Sequence, residues 1–298
     1  MKIDHAPYLV IANPFSGRKK HKEIIAMVQK AFPQLVVEIS NFTGHPFNIV
    51  NEAKLKSYRA IIAIGGDGTM HEVVNGMMKR DDGLKIPIGL IPGGTGNSFM
   101  HDLKATDPLK AIDIIKQGLT KQIDLAEIKM KDDIMYAFNI IGWGMSVTIN
   151  NLAERWRKLG GQRYNLAALY EITRNPKWSV NIKLDDAQEE GEYSFFLACN
   201  TMYSGNGMKV APLAKLDDGL IDVLLLKQAP RAKLIAIFSK IFSGKHIENP
   251  LIDYRQVSSF SIIPKKDSVL NVDGQITGTT PIQVKMLNQA IEVFYPQY

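Results

Sequence analysis

Five consecutive residues, Gly65-Gly-Asp-Gly-Thr69, combine what holding a phosphate requires. Glycines let an anion approach bare main chain, a threonine adds a hydroxyl where the N–H groups of a helix N-terminus converge, and Asp67 stands where a metal–phosphate group would bind. The apolar run Ala60–Ile64 stops at this segment, and amphipathic spacing starts at Met70. The expected order is therefore strand, phosphate-cradling turn, helix. Glycine-rich turns are common between a strand and a helix, so these residues alone also read as an ordinary turn.

Two better-known glycine motifs are absent. His71 occupies the place of the third glycine of a dinucleotide fingerprint, and no Gly-Lys-Ser/Thr ending of a Walker-type loop occurs anywhere in the chain. The same logic recurs twice, however. Ile88-Gly-Leu-Ile-Pro92 runs into Gly93, Gly94, Thr95, Gly96 and Asn97, and Leu9-Val-Ile-Ala12 runs into Asn13-Pro-Phe-Ser-Gly17 ahead of the basic residues Arg18, Lys19 and Lys20. These basic residues fit either phosphate attraction or a solvated helix face. Three such turns, each at the end of a candidate strand, converge on one edge of a sheet.

The elements that would carry these turns alternate. β-like runs at Tyr8–Ala12, Leu35–Ile39, Ala60–Ile64 and Ile86–Ile91 are separated by helical patterns at Lys19–Phe32, Pro46–Lys56 and Met70–Lys79. This predicts an α/β domain with a parallel sheet and helices on both faces, with ligands bound beyond the carboxyl ends of its strands. A further helix is predicted at Pro108–Gln117, capped by Asp107 and stopped by Gly118.

After Lys121 the texture changes to β-rich. Runs at Ile123–Met130, Ile134–Ile141, Val180–Leu184, Tyr193–Asn200, Ile221–Leu226, Ser258–Ile263, Ser268–Val272, Ile282–Lys285 and Ala290–Tyr295 predict an all-β, sandwich-like second domain. Helices are expected to interrupt it at Ser146–Lys158 and Arg231–Phe242. The second of these reads as a core-packing helix with solvated lysines, with a membrane-surface helix as the alternative. The expected domains are 1–121, with 286–298 packing back on it, and 122–285.

Composition narrows the class. A length of 298 residues exceeds a comfortable single core and fits two domains. One cysteine, Cys199, excludes a disulfide framework and a Cys-rich zinc site. No apolar run approaches the ~18 residues of a membrane span, and the N-terminal residues lack a signal-peptide pattern. The expectation is a cytoplasmic protein whose membrane contact is peripheral. A net charge of +6 favours polyanionic partners mildly, and no nucleic-acid-binding motif accompanies it.

Taken in order, Asn13-Pro-x-Ser-Gly17, Gly65-Gly-Asp-Gly-Thr69 and Pro92-Gly-Gly-Thr-Gly-Asn97, followed by Asp217-Asp-Gly219 and Asp273-Gly274, resemble the catalytic domain of the diacylglycerol kinase family, which includes bacterial lipid kinases and the sphingosine and ceramide kinases. The resemblance spans essentially the whole chain. It implies ATP-dependent phosphorylation of a lipid hydroxyl, with the nucleotide between the two domains. Carried over position by position, it assigns nucleotide contacts to Asn13, Ser16, Gly17, Thr43, Gly65, Gly66, Asp67, Gly68, Thr69, Gly94, Thr95 and Asn97, with Asp67 near the Mg²⁺ of ATP. It also implies a structural Mg²⁺ in the second domain, held by the carboxylate of Asp218 and the carbonyls of Lys215 and Leu220. An ordinary Asp-Gly hairpin turn fits those residues as well. The lipid pocket would be lined around Phe138–Val147 and the helix bearing Trp156.

Departures from the family pattern bear on mechanism. The family usually carries Asp-Gly-Glu near its C-terminus, the glutamate serving as proton acceptor, whereas this chain has Asp273-Gly-Gln275. An amide takes no proton at neutral pH, so either Asp67 or Asp273 is the base, or the chain is slow or inactive toward the expected substrate. Ser98 replaces an aspartate common in bacterial relatives. His71–Gly76 and Arg157-Lys-Leu-Gly160 followed by Arg163 look more like the sphingosine and ceramide kinases, in which an acidic headgroup residue falls near Asn150. Two other readings stand beside the lipid kinase. An NAD kinase shares the Gly-Gly-Asp-Gly turn, but the Asn-Glu pair of those enzymes has no convincing counterpart. A non-catalytic nucleotide or lipid sensor is supported by Gln275 alone.

Overall fold

The computed structural model describes residues 6–16, 21–93, 97–205 and 207–297. Cα packing divides the chain into two compact units, Met1–Ile123 with Gln289–Tyr298, and Asp124–Asn288.

The first unit is α/β. Strand β1 (Tyr8–Ala12), helix α1 (His21–Ala31), β2 (Leu35–Ile39), α2 (His45–Glu52), β3 (Ala60–Gly65), α3 (Asp67–Met78), β4 (Ile88–Pro92), α4 (Ser98–Asp102) and α5 (Pro108–Gln117) follow in order. The strands pair in parallel in the order β4-β3-β1-β2. Every residue of β1, β3 and β4 is buried, as strands covered on both faces require, while β2 at the edge is only partly covered. Helix α1 packs with α5 and α2 with α3. Helix α5 begins and ends as its sequence dictates: the Asp107 carboxylate accepts from the amides of Leu109 and Lys110, Pro108 opens the first turn, and Gly118 closes it in the left-handed region at φ 71°.

The second unit is antiparallel. It contains β6 (Ile134–Ala137), β7 (Ile140–Gly144), β8 (Trp178–Leu184), β9 (Ala187–Cys199), β10 (Ile221–Lys227), β11 (Ile252–Val257), β12 (Ser259–Pro264), β13 (Val269–Val272) and β14 (Gln275–Thr279), together with most of β5 (Thr120–Lys129) and β15 (Ile282–Phe294). The order is β14-β13-β7-β9-β8-β12-β15, with β10 and β11 added beside β9. Its core gathers Trp143, Tyr193, Phe196 and Phe260 with branched aliphatic residues. Helices α6 (Met145–Arg155) and α7 (Arg163–Arg174) are inserted after β7, and α8 (Arg231–Ser239) after β10. Helix α6 lies over β7, β9, β13 and β14.

Several expected elements differ in extent. The run Ile134–Ile141 is two strands, interrupted at Phe138 and Asn139 because the Asp273 carboxylate captures the amides there. The two expected strands at Ile282–Lys285 and Ala290–Tyr295 are one strand, β15, whose polar middle includes Gln289 at φ 51°. Helix α3 starts at Asp67, so Asp67, Gly68 and Thr69 form its first turn instead of a loop. Helix α2 ends at Glu52, followed by a short 3-10 turn at Leu55–Ser57. Helix α7 and strands β11 and β14 have no counterpart among the expected elements. Helix α7 buries Ala167, Ala168 and Ile172 and leaves Leu166, Leu169 and Tyr170 exposed.

Candidate active site

In the first unit the strand ends are tied to one another by main chain. The Asn13 amide donates to the Ile64 carbonyl at 2.9 Å, and the Gly93 amide to the Gly65 carbonyl at 2.7 Å. The ends of β1, β3 and β4 are thereby held side by side. Side chains complete the join: Asn13 Nδ2 donates to Thr69 Oγ1 at 3.1 Å, and Ser16 Oγ donates to the Asn13 carbonyl at 2.7 Å. A Cβ added at Gly65 would fall on the Thr69 hydroxyl, and one added at Gly93 would lie 3.4 Å from Ser16 Oγ. Glycine at 65 is thus required by a close approach.

Gly66 is the N-cap of α3, and the amides of Thr69 and Met70 return to its carbonyl. The N-terminus of α3, with its partial positive charge, opens where the three strand ends meet. The Asp67 side chain is buried and turns toward α4: Oδ2 accepts from the Ser98 amide at 2.7 Å and Oδ1 from the Phe99 amide at 3.3 Å. Asn97 is the N-cap of α4. The carboxylate therefore fastens the segment after the third turn to the start of α3, a role its residue type did not announce. Thr43 lies in the loop after β2, whose Gly44 amide donates to Glu72 of α3 at 3.0 Å. Burial raises the pKa of Glu72 against that bond and the nearby histidines His71 and His45. Gly17, Gly94 and Thr95, as well as Arg18, Lys19 and Lys20, lie outside the described residues.

The second unit gathers the remaining candidates at two places. Asp273 and Gly274 form the two-residue link between β13 and β14, both with positive φ, 51° and 84°. The Asp273 side chain, 1% exposed, accepts from the amides of Phe138, Asn139 and Ile140 at 3.3, 2.9 and 3.0 Å. From α6, Asn150 Nδ2 donates to the Gly274 carbonyl at 2.8 Å, and Tyr164 donates to Asn150 Oδ1 at 3.4 Å. Arg163, buried, lies over the Tyr164 ring and pairs with Glu154 at 3.1 Å. Gln275, half-buried, opens β14 directly after this doubly anchored turn.

At the second place, Lys215, Asp218 and Leu220 fall within one segment, with Asp218 Oδ1 accepting from the Leu220 amide at 3.1 Å. A residue not singled out from the sequence joins them. Asp124, fully buried, accepts from the Gly219 amide at 2.6 Å, while its own amide donates to the Leu216 carbonyl at 2.7 Å. A carboxylate inside the apolar run Ile123–Met130 was the available signal. Nearby Asp222 is pushed up to about 6, chiefly by burial, although Tyr254 and Gln256 donate to it. Among the described residues no three His, Cys, Asp or Glu side chains cluster as a metal site. The donors at 215–220 are one exposed carboxylate and main-chain carbonyls, an oxygen set that suits a hard cation completing its shell with water.

A family model described as "Diacylglycerol kinase catalytic domain" matches residues 7–128, and one described as "YegS C-terminal NAD kinase beta sandwich-like domain" matches residues 139–295. The chain is 31% identical over 296 residues to diacylglycerol kinase of Bacillus subtilis, covering 97% of this chain and 96% of that one. The chain belongs to the diacylglycerol kinase family. It is also 26% identical to sphingosine kinase 2 of Arabidopsis thaliana, over 90% of this chain and 68% of that protein. A solved diacylglycerol kinase structure from Bacillus anthracis superposes with TM-score 0.80 at 25% identity, covering 98% of this chain and 97% of that one. A member of the family is a phosphotransferase with an alcohol group as acceptor, and a kinase takes its phosphoryl group from ATP. The sequence-based assignment to lipid kinases and the two-domain fold class are both borne out.

Proposed function

We propose that the protein transfers the γ-phosphoryl group of ATP to the free hydroxyl of a diacylglycerol-like lipid. The observation that carries this reading is the joining of three strand ends around the N-terminus of α3. Phosphoryl transfer asks a protein mainly to position groups and neutralise charge, and main-chain amides, hydroxyls and glycine clearance supply both. Asn13, Ser16, Thr43, Gly65, Gly66, Gly68, Thr69 and Asn97 are the described residues that would hold the nucleotide. In the reaction the lipid oxygen attacks the γ-phosphorus, the bond to the β–γ bridging oxygen breaks, ADP leaves and the hydroxyl proton is released.

No strong base is needed if the transition state is loose. Gln275 takes no proton, and Asp273 is committed to three amides. We assign Asp273 and Asp67 to positioning: the first fixes the turn that presents Gln275, the second fixes the start of α4. Mg²⁺ on the triphosphate would neutralise developing charge, and a second Mg²⁺ at Asp218, with the carbonyls of Lys215 and Leu220, would hold the 215–220 segment. The diacylglycerol class is favoured over a sphingoid base because the likeness to the B. subtilis kinase extends over nearly both whole chains. Position 150, moreover, presents an amide engaged with Gly274 and offers an ammonium group no carboxylate.

Access to lipid would be peripheral. Among the described residues no helix is long and apolar enough to cross a membrane. Helix α7 exposes Leu166, Leu169 and Tyr170, spaced three and four residues apart on one stripe, and it packs on α8 through Ile172, Leu234 and Ile237. Ile235 of α8 is exposed among Arg231, Lys233 and Lys240. An apolar stripe beside cations suits an anionic bilayer surface.

The test is the purified chain with radiolabelled ATP, Mg²⁺ and a panel of lipids, read by mass spectrometry. Label in the phosphate ester of diacylglycerol is expected. Label appearing only in NADP when NAD is offered, or in no product, overturns the reading. Gln275→Glu tests the proton argument: a large rise in turnover would show that the native site lacks a base it needs.

A further inference from the structure

The loop after β2 has features that the phosphate cradle does not explain. Its backbone is pinned at several points: the Ser40 amide donates to the Ala12 carbonyl at 2.8 Å, Ser40 Oγ donates to the Phe42 carbonyl at 3.2 Å, and the His45 amide donates to that same carbonyl at 3.2 Å. The Asn41 amide donates to His45 Nδ1 at 3.1 Å, and the Gly44 amide reaches Glu72. At the centre of this fixed loop stands Phe42, 53% exposed, with its ring stacked on the His45 imidazole at 4.8 Å and 24° between planes. An aromatic ring held this firmly at the surface, one face on an imidazole, is a preformed platform for a planar ligand.

Its place in the fold identifies the ligand. The loop lies at the carboxyl end of β2, on the same edge of the parallel sheet as the ends of β1, β3 and β4. Through Glu72 it is anchored to α3, the helix whose first turn borders the phosphate cradle. Glu72 is five residues beyond Asp67, about 7–8 Å along the axis. The loop that Glu72 holds is therefore set back from the start of α3 by more than one helical turn.

We propose that Phe42, backed by His45, stacks the nucleobase of the phosphoryl donor. This rests on the nucleotide-binding reading above and extends it to the base. Stacking reads the π-face of a base and not its hydrogen-bonding edge, so the site should discriminate weakly between adenine and guanine. Phe15, 68% exposed after β1, is the competing platform.

Nucleotide binding to the full chain without lipid separates these ideas. Phe42→Ala should weaken ATP binding about tenfold, raise KM for ATP with a much smaller effect on kcat, and leave the affinity for inorganic tripolyphosphate unchanged. Phe42→Trp should retain ATP affinity and show indole quenching on binding. The proposal is overturned if Phe42→Ala binds ATP like the parent protein, if Phe15→Ala carries the loss instead, or if tripolyphosphate binding falls equally, which would mean a distorted loop. A parent protein that binds neither ATP nor tripolyphosphate would remove the nucleotide reading itself, a different result from an unaffected variant.

Discussion

In the first unit, candidate residues meet because neighbouring parallel strands end together, and main-chain hydrogen bonds between those ends do the joining. In the second unit, the corresponding work falls on single polar side chains that reach across the chain: Asp273 to residues 135 positions away, Asn150 to Gly274 at 124, Asp124 to Gly219 at 95. The first arrangement spreads its support over a sheet whose strands β1, β3 and β4 are buried throughout. The second concentrates it in a few buried carboxylates and amides. Loss of one anchor should therefore be tolerated structurally in the first unit and not in the second, while the consequences for catalysis run the other way.

The largest effect on turnover is expected in the first unit. Asp67→Asn keeps an oxygen for one of the α4 amides but loses the charge that holds the other, and activity should fall roughly 10²-fold, the scale of a 1 Å misplacement of positioned groups. The melting temperature should fall less than for Asp273→Asn, because Asp67 holds two amides and Asp273 three. A variant that unfolds instead would place Asp67 with the anchors of the second unit and break the comparison.

For stability the order reverses. Asp273→Ala leaves three buried amides without their acceptor, at about 3 kcal/mol or more, and puts a Cβ-bearing residue without a local hydrogen bond at positive φ. Asp273→Asn, which keeps one acceptor oxygen and tolerates that backbone, should cost about half as much. Asn13→Ala in the first unit removes one side-chain bond to Thr69, worth about 1 kcal/mol. Denaturant titration of the three variants tests the ranking, and equal losses for Asn13→Ala and Asp273→Ala would contradict it.

The same contrast explains what could be read in advance. The ends of β1 and β2 and the span of α5 with its caps were visible because each depends on residues close in sequence. Fold class followed from alternation in one half and short runs in the other. What escaped depends on distance: the break at Phe138 and Asn139 is imposed by Asp273, and Asp124 gains its meaning only when Gly219 arrives beside it. Asp67 stood out by its place in the motif but not as the anchor of α4, because an N-terminal turn of α4 is invisible until the chain closes. Phe42 was passed over because a lone aromatic residue near a glycine carries no signal without its stacked histidine.

A smaller effect concerns the outer face of α7. Leu166→Glu with Leu169→Glu removes apolar surface that is already exposed, so folding should be unaffected. Activity on diacylglycerol in anionic vesicles should drop several-fold while activity on a short-chain acceptor in solution is retained, since about 1 kcal/mol of bilayer affinity is at stake for each charge or apolar group. Equal losses in both assays would move this stripe from the membrane to the fold.

The mildest expectation separates the units by pH. His246 is buried in the second unit, its Nε2 donating to the Val210 carbonyl at 2.9 Å, and burial lowers its pKa despite that bond. His101 in the first unit is also lowered by burial but remains half-exposed. A histidine whose folded pKa lies below its ordinary value near 6.5 refuses a proton that the unfolded chain accepts. Below that pH the unfolded state therefore binds more protons, so stability falls as pH is lowered and is indifferent to these groups above it. The slope from one such residue cannot exceed about 1.4 kcal/mol per pH unit. Melting curves between pH 7.5 and 5.5, both values being conditions set at about one unit either side of the ordinary pKa, should flatten more for His246→Gln than for His101→Gln. The reverse order would mean that the second unit's buried polar groups are better solvated than their isolation from water implies.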